Sequence, residues 1–81
     1  MSLSKYTSER KLLGQRLRKA RQELGLSQTE AAQLLHKPQW FISRVELGVR
    51  KLDVFELIEI SHVYSQSITY FLDDITNQIS S

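Results

Sequence analysis

The chain of 81 residues contains no cysteine, so disulfides and thiolate metal sites are excluded and a reducing compartment is the simplest setting. One proline and three glycines leave little punctuation, which suits a few helices joined by tight turns better than a strand-and-turn architecture. No apolar run approaches the roughly 20 residues of a membrane span, and the opening MSLSKYTSERK lacks the apolar segment of a signal peptide. A cytoplasmic protein with no membrane association is expected. The stretch after Lys51 has no lysine or arginine at all. Eleven cations against four acids (Glu9, Glu23, Glu30, Glu46) give residues 1–51 a charge of +7, whereas the five acids of residues 52–81 give −5. A basic front and an acidic back suggest that one end meets a polyanion.

Apolar content of 41% at this length fits one domain with one modest core. Leu13, Leu17, Ala20 and Leu24 recur at i, i+4, i+7 and i+11, the stripe of an amphipathic helix. Thr7 or Ser8 is expected to cap its start, and Gly25 to end it in the left-handed conformation. In LSQTEA, Ser27 and Glu30 have the spacing of a capping box, which opens a short second helix reaching about Leu35. Pro38 fits the first turn of a third helix that runs to Leu47 and closes at Gly48. Asp53 and Glu56 repeat the capping box for a fourth helix, which carries Leu57, Ile58, Ile60 and Val63. Ser67 caps a fifth, whose Ile68, Leu72, Ile75 and Ile79 follow the same helical stripe. The expectation is an all-α domain of five helices.

The third helix divides on a wheel of about 100° per residue. Pro38, Phe41, Ile42 and Val45 share the core side, and Gln39, Trp40, Ser43, Arg44 and Leu47 share the other. An amide, an indole, a hydroxyl and a guanidinium therefore point outward together. Glutamine and arginine pair bidentately with adenine and guanine edges, serine can bond base or phosphate, and an indole can meet a thymine methyl. On an isolated helix such residues could simply be solvated. Here a capped short helix and a tight turn precede them, which is the helix-turn-helix arrangement whose second helix enters the major groove.

The residues LGQRLRKARQELGLSQTEAAQLL, FISRVELG, LDVFELIEI and SITYFL resemble the helix-turn-helix domain of the phage repressor and Cro family, also called the XRE family, over residues 10–72. The resemblance implies a compact five-helix lambda-repressor-like fold, with the helix-turn-helix in helices 2 and 3. It implies a domain over residues 8–74, and the tail over 75–81, whose apolar positions go beyond that match, is expected either to extend a dimer interface or to fray. By the same resemblance Gln39, Trp40 and Arg44, with Ser43 beside them, take the base-reading positions. Gln28, Arg50 and Lys51 take phosphate-contacting positions, and Arg21 and Glu46 a structural ion pair. The chain departs from the pattern at His36 in the turn, at Lys37, at Pro38, and in the short loop from Gly48 to Asp53.

Nothing gives a metal-ligand spacing, a phosphate-binding glycine loop or a nucleophile motif, so no catalytic site, metal, cofactor or small-molecule ligand is expected. Phe71, Ile75 and Ile79 are the expected homodimer interface, since one short helix reads too few base pairs alone. The function expected is that of a sequence-specific DNA-binding transcription regulator, most simply a repressor, bound as a homodimer to a palindromic stretch of double-stranded DNA. A second reading is a protein-interaction module that uses the same helices to neutralise a toxin, and weak salt dependence would distinguish it.

Overall fold

Five helices organise residues 5–75, the part of the chain that the computed structural model describes. They are α1 (Thr7–Glu23), α2 (Gln28–Leu34), α3 (Gln39–Leu47), α4 (Val54–Val63) and α5 (Ile68–Leu72). Two of them begin at full capping boxes. The Ser27 hydroxyl accepts from the Glu30 N–H at 3.0 Å while the Ser27 N–H donates to the Glu30 carboxylate at 2.8 Å. Asp53 and Glu56 exchange the same pair of bonds at 2.8 and 3.1 Å. Ser67 accepts from the Tyr70 N–H at the head of α5. The first helix departs from expectation: Thr7 is already inside α1, and its N-cap is Tyr6, which makes no side-chain capping bond.

The ends of α1, α2 and α4 share one device. At Gly25 (φ 72°) the Leu26 N–H reaches back to the Arg21 carbonyl and the Gly25 N–H to that of Gln22, the Schellman closure. His36 (φ 55°) closes α2 the same way, with Lys37 and His36 donating to Ala32 and Gln33. Ser65 (φ 56°) repeats it after α4. The turn of the helix-turn-helix is thus His36-Lys37-Pro38, with histidine in a conformation that suits glycine. Pro38 itself is the N-cap of α3 and is exposed, which corrects its expected place inside the helix and on its core side. Proline has no N–H to contribute at a helix start and no side-chain oxygen to cap one.

The core is built from Leu17 and Ala20 of α1, Ala31, Ala32 and Leu35 at α2, Phe41, Ile42 and Val45 of α3, Leu57, Ile60 and Tyr64 at α4, and Phe71 of α5. Leu24 and Ile58, expected inside from their spacing, are about half exposed at 48% and 46%. The third helix packs against α1 and α2, while α5 bridges α1 and α4. At the α1–α3 crossing no side chain intervenes. A Cβ on Gly14 would lie 2.3 Å from the Glu46 carbonyl oxygen, and one on Gly48 would lie 2.9 Å from the Lys11 Cα. Two glycines thus let the backbones touch and fix how α3 is carried.

The fifth helix is shorter than its apolar stripe suggests, because Asp73 turns extended and Asp74 is left-handed at φ 66°. Arg16 holds this end. Its guanidinium donates to the carbonyls of Tyr70, Phe71 and Asp73 and to the Asp74 carboxylate, the last at 3.1 Å. A cation at a helix C-terminus satisfies exposed carbonyls and opposes the dipole. Ile75 returns to the buried side through this turn rather than along a continued helix. Among the described residues no helix is long and apolar enough to cross a membrane.

Candidate nucleic-acid interface

The two faces of α3 separate as its sequence pattern indicates. Phe41, Ile42 and Val45 are buried, while Trp40 is 50% and Leu47 63% exposed. Gln39 and Arg44 are exposed beside them, and Ser43 is half-buried. The outer face therefore presents an amide, an indole and a guanidinium on a helix whose inner face is fully committed to packing.

A continuous hydrogen-bond chain runs from the core to this face. Arg21 of α1 grips Glu46 of α3 with two nitrogens, Nε to Oε2 at 2.6 Å and Nη2 to Oε1 at 3.0 Å. Its Nη1 also donates to the Leu26 carbonyl at 2.8 Å, tying down the connection to α2. The Nε2 of Gln28 donates to Glu46 at 3.0 Å, and Gln28 in turn accepts from Nε2 of Gln39 at 2.6 Å. Each group's orientation follows from the one before it. A carboxylate only accepts, so Gln28 must turn its N–H₂ to Glu46 and its oxygen to Gln39. The ion pair is buried and bidentate, and the Glu46 hydrogen bond raises the Arg21 pKa further. Such a pair orients elements more than it stabilises them, although removing one partner leaves a buried charge and costs about 3–5 kcal/mol. Burial pushes the adjoining Tyr64 hydroxyl up to about 12, with the Glu46 charge adding to the rise. No buried side-chain nitrogen or oxygen among the described residues lacks a partner.

The residues expected at phosphates are placed differently from one another. Gln28 stands at the start of α2, half-buried, with both ends of its amide engaged. Lys51 is exposed on the loop after α3. Arg50 donates to Glu56 at 2.8 Å and lies 4.7 Å over the Phe41 ring. Lys37 stands 3.6 Å from the same carboxylate, with its Nζ 5.2 Å from the centroid of the same ring. Its charge thus finds a partner beside the aromatic ring of the core. Arg18 is a residue that sequence pattern did not single out. It lines a polar cleft of about 170 Å³ with Arg21, Gln28, Ser43, Glu46 and Leu47, at the junction of α1, α2 and α3. Only the fold brings these together, since Arg18 belongs to the general basicity of α1.

The expected dimer residues are not at a free surface. Phe71 is wholly buried and Ile75 is 7% exposed, both within the chain's own fold, so neither offers an apolar face to a second copy. Phe71 packs from within α5, and Ile75 follows the turn that Arg16 holds. Ile79 lies outside the described residues. One group of exposed apolar side chains lies on α4 and α2: Val54, Phe55, Ile58 and Leu34. Leu34 and Ile58 also line a groove of about 300 Å³ together with Leu35, His36, His62 and Val63.

The sequence pattern of the helix-turn-helix family matches residues 17–71. The HTH-type transcriptional regulator ImmR of Bacillus subtilis (strain 168) is 38% identical over 60 residues, 74% of this chain and 47% of that protein. This chain therefore spans about half the length of the curated relative it matches. The restriction-modification controller protein C.AhdI from Aeromonas hydrophila superposes with a TM-score of 0.78 at 24% identity, covering 83% of this chain and 97% of its own. The clp gene regulator ClgR from Corynebacterium glutamicum gives 0.77 at 22% identity, covering 89% and 77% respectively. At these identities the two structures establish the fold.

Proposed function

Because the chain belongs to the helix-turn-helix family, we propose that it is a sequence-specific DNA-binding transcription regulator, with α3 inserted in the major groove. The observation that carries this reading is the outer face of α3. Gln39, Trp40 and Arg44 project from a helix clamped backbone-to-backbone on α1, and Gln39 is already oriented by hydrogen bonds from within. Ordered side chains on a rigid helix meet base edges at low entropic cost. Gln28, Arg18, Arg50 and Lys51 surround that face with phosphate-binding chemistry. Arg50 would exchange part of its bond to Glu56 for a phosphate.

The regulator acts as a homodimer in the cytoplasm on a palindromic operator. The surface that supports dimerisation is the exposed face of α4 with Leu34 of α2. A second copy is its occupant, because the face carries both a projecting Phe55, 74% exposed, and a groove beside Ile58 on the same helix. A surface holding both knob and recess can be self-complementary about a two-fold axis. To read two half-sites one helical turn apart, that axis would have to set the two copies of α3 about 34–36 Å apart.

A binding selection from a random duplex library tests the reading. The wild-type chain should recover a palindrome, and Gln39→Ala and Arg44→Ala should each relax preference at a defined base pair by about 1–3 kcal/mol. Affinity should fall steeply with salt as phosphate contacts release counterions. A chain that recovers no sequence, or binds a protein partner with a flat salt response, overturns it.

A further inference from the structure

We infer that Trp40 is a positioning residue for Arg44: its indole face holds the guanidinium in place while leaving every N–H free for a guanine edge. The inference rests on the DNA-binding reading above. Trp40 and Arg44 are four residues apart on the outer face of α3, and the Arg44 Cζ lies 5.3 Å from the Trp40 ring centroid. Residues at that spacing are neighbours on a helix surface. Two arginines near this face have carboxylate partners, Arg21 with Glu46 and Arg50 with Glu56, the latter also lying over the Phe41 ring. Arg44 is held by a ring instead.

The difference matters chemically. A carboxylate holds arginine by occupying its N–H groups, which are the same donors that guanine O6 and N7 require. An aromatic face attracts the cation through its quadrupole and consumes none of them. The stack also restricts a long side chain before DNA arrives, so less rotamer freedom is lost on binding. Trp40 is half exposed because its ring is a platform at the surface and not part of the core. Its contribution to selectivity therefore passes through Arg44, and it specifies no base pair of its own.

The binding selection identifies the base pair that loses its preference in Arg44→Ala. Trp40→Ala and Trp40→Leu should lower guanine preference at that same pair by about two- to fivefold, the factor an exposed cation–π contact supplies. Trp40→Phe should retain most of it, and Trp40→Ala should add little in an Arg44→Ala background. Loss of preference at a different base pair, or full additivity of the two substitutions, overturns the inference. In the free protein, the Arg44 side-chain protons should show an upfield ring-current shift that disappears in Trp40→Leu, and its absence from the wild type also overturns it. A wild-type chain that recovers no sequence yet shows the shift would sink the DNA-binding reading, and the role assigned here with it, while leaving the stack intact.

Discussion

Gly14 and His36 make opposite demands at the scale of single residues. Gly14 sits inside α1, where glycine weakens a helix, yet a Cβ there would collide with the Glu46 and Val45 carbonyl oxygens at 2.3 and 2.7 Å. Those oxygens are backbone and cannot swing aside. Gly14→Ala should therefore destabilise by about 1–3 kcal/mol or more, against the usual gain for alanine in a helix, as urea unfolding would show. His36 carries a Cβ where the backbone is left-handed, with no such steric partner demanding it. His36→Gly should raise stability by about 0.5–1 kcal/mol in the same assay, the relief of strain exceeding the entropy that glycine adds to the unfolded chain. The outward set Gln39, Trp40 and Arg44 was legible in the sequence because a helical wheel needs only periodicity. Gly14 was not, because nothing in a single sequence says which small residue lies under another backbone. The Gln28–Gln39 bond was hidden for the same reason: it joins two helices across a turn whose geometry had first to be known.

At the scale of elements, the helix starts were readable from Ser27, Asp53 and Ser67, since capping is local chemistry between residues three apart. The end of α5 was not, because Arg16, 54 to 58 positions earlier, decides where that helix stops. The Pro38 cap and the exposed Leu24 mark the same limit, where periodicity continues past the point at which the backbone turns. Glu56 has several partners. It closes the α4 capping box and also receives Arg50 and Lys37, joining α4 to the end of the turn and the loop after α3. Burial tends to raise its pKa, but the hydrogen bond from Arg50, that from the Asp53 backbone and the charges of Arg50 and Lys37 together hold it below the ordinary value. A carboxyl depressed on folding contributes its full stabilisation above the unfolded pKa of about 4.3 and loses it as pH falls through the lower folded value. Glu56→Gln should thus be less stable than wild type by on the order of 1 kcal/mol at pH 7. The gap should close near pH 3, measured by urea unfolding at both pH values.

For the whole molecule, the charge imbalance between the two halves of the chain is reduced by folding. Arg16 reaches Asp74, and Lys37 and Arg50 reach Glu56, so cations of the front neutralise acids of the back. Composition alone therefore overstated the contrast. Of the apolar stripe of the last segment, Phe71 and Ile75 complete the chain's own core, while α4 exposes Val54, Phe55 and Ile58. Phe55→Glu and Ile58→Glu should yield a monomer by light scattering, with a melting temperature close to that of a wild-type monomer and much weakened binding to a two-half-site duplex. Dimers that persist in both variants would move the interface elsewhere. The division of α3 has a last consequence, for divergence. Because Phe41, Ile42 and Val45 hold the helix while Trp40 and Arg44 lie outside the buried core, the outward positions can mutate without unfolding the protein. Descendants of one such chain can acquire new targets while inheriting the same scaffold. The exception is Gln39, whose hydrogen bond to Gln28 makes its replacement a two-residue step.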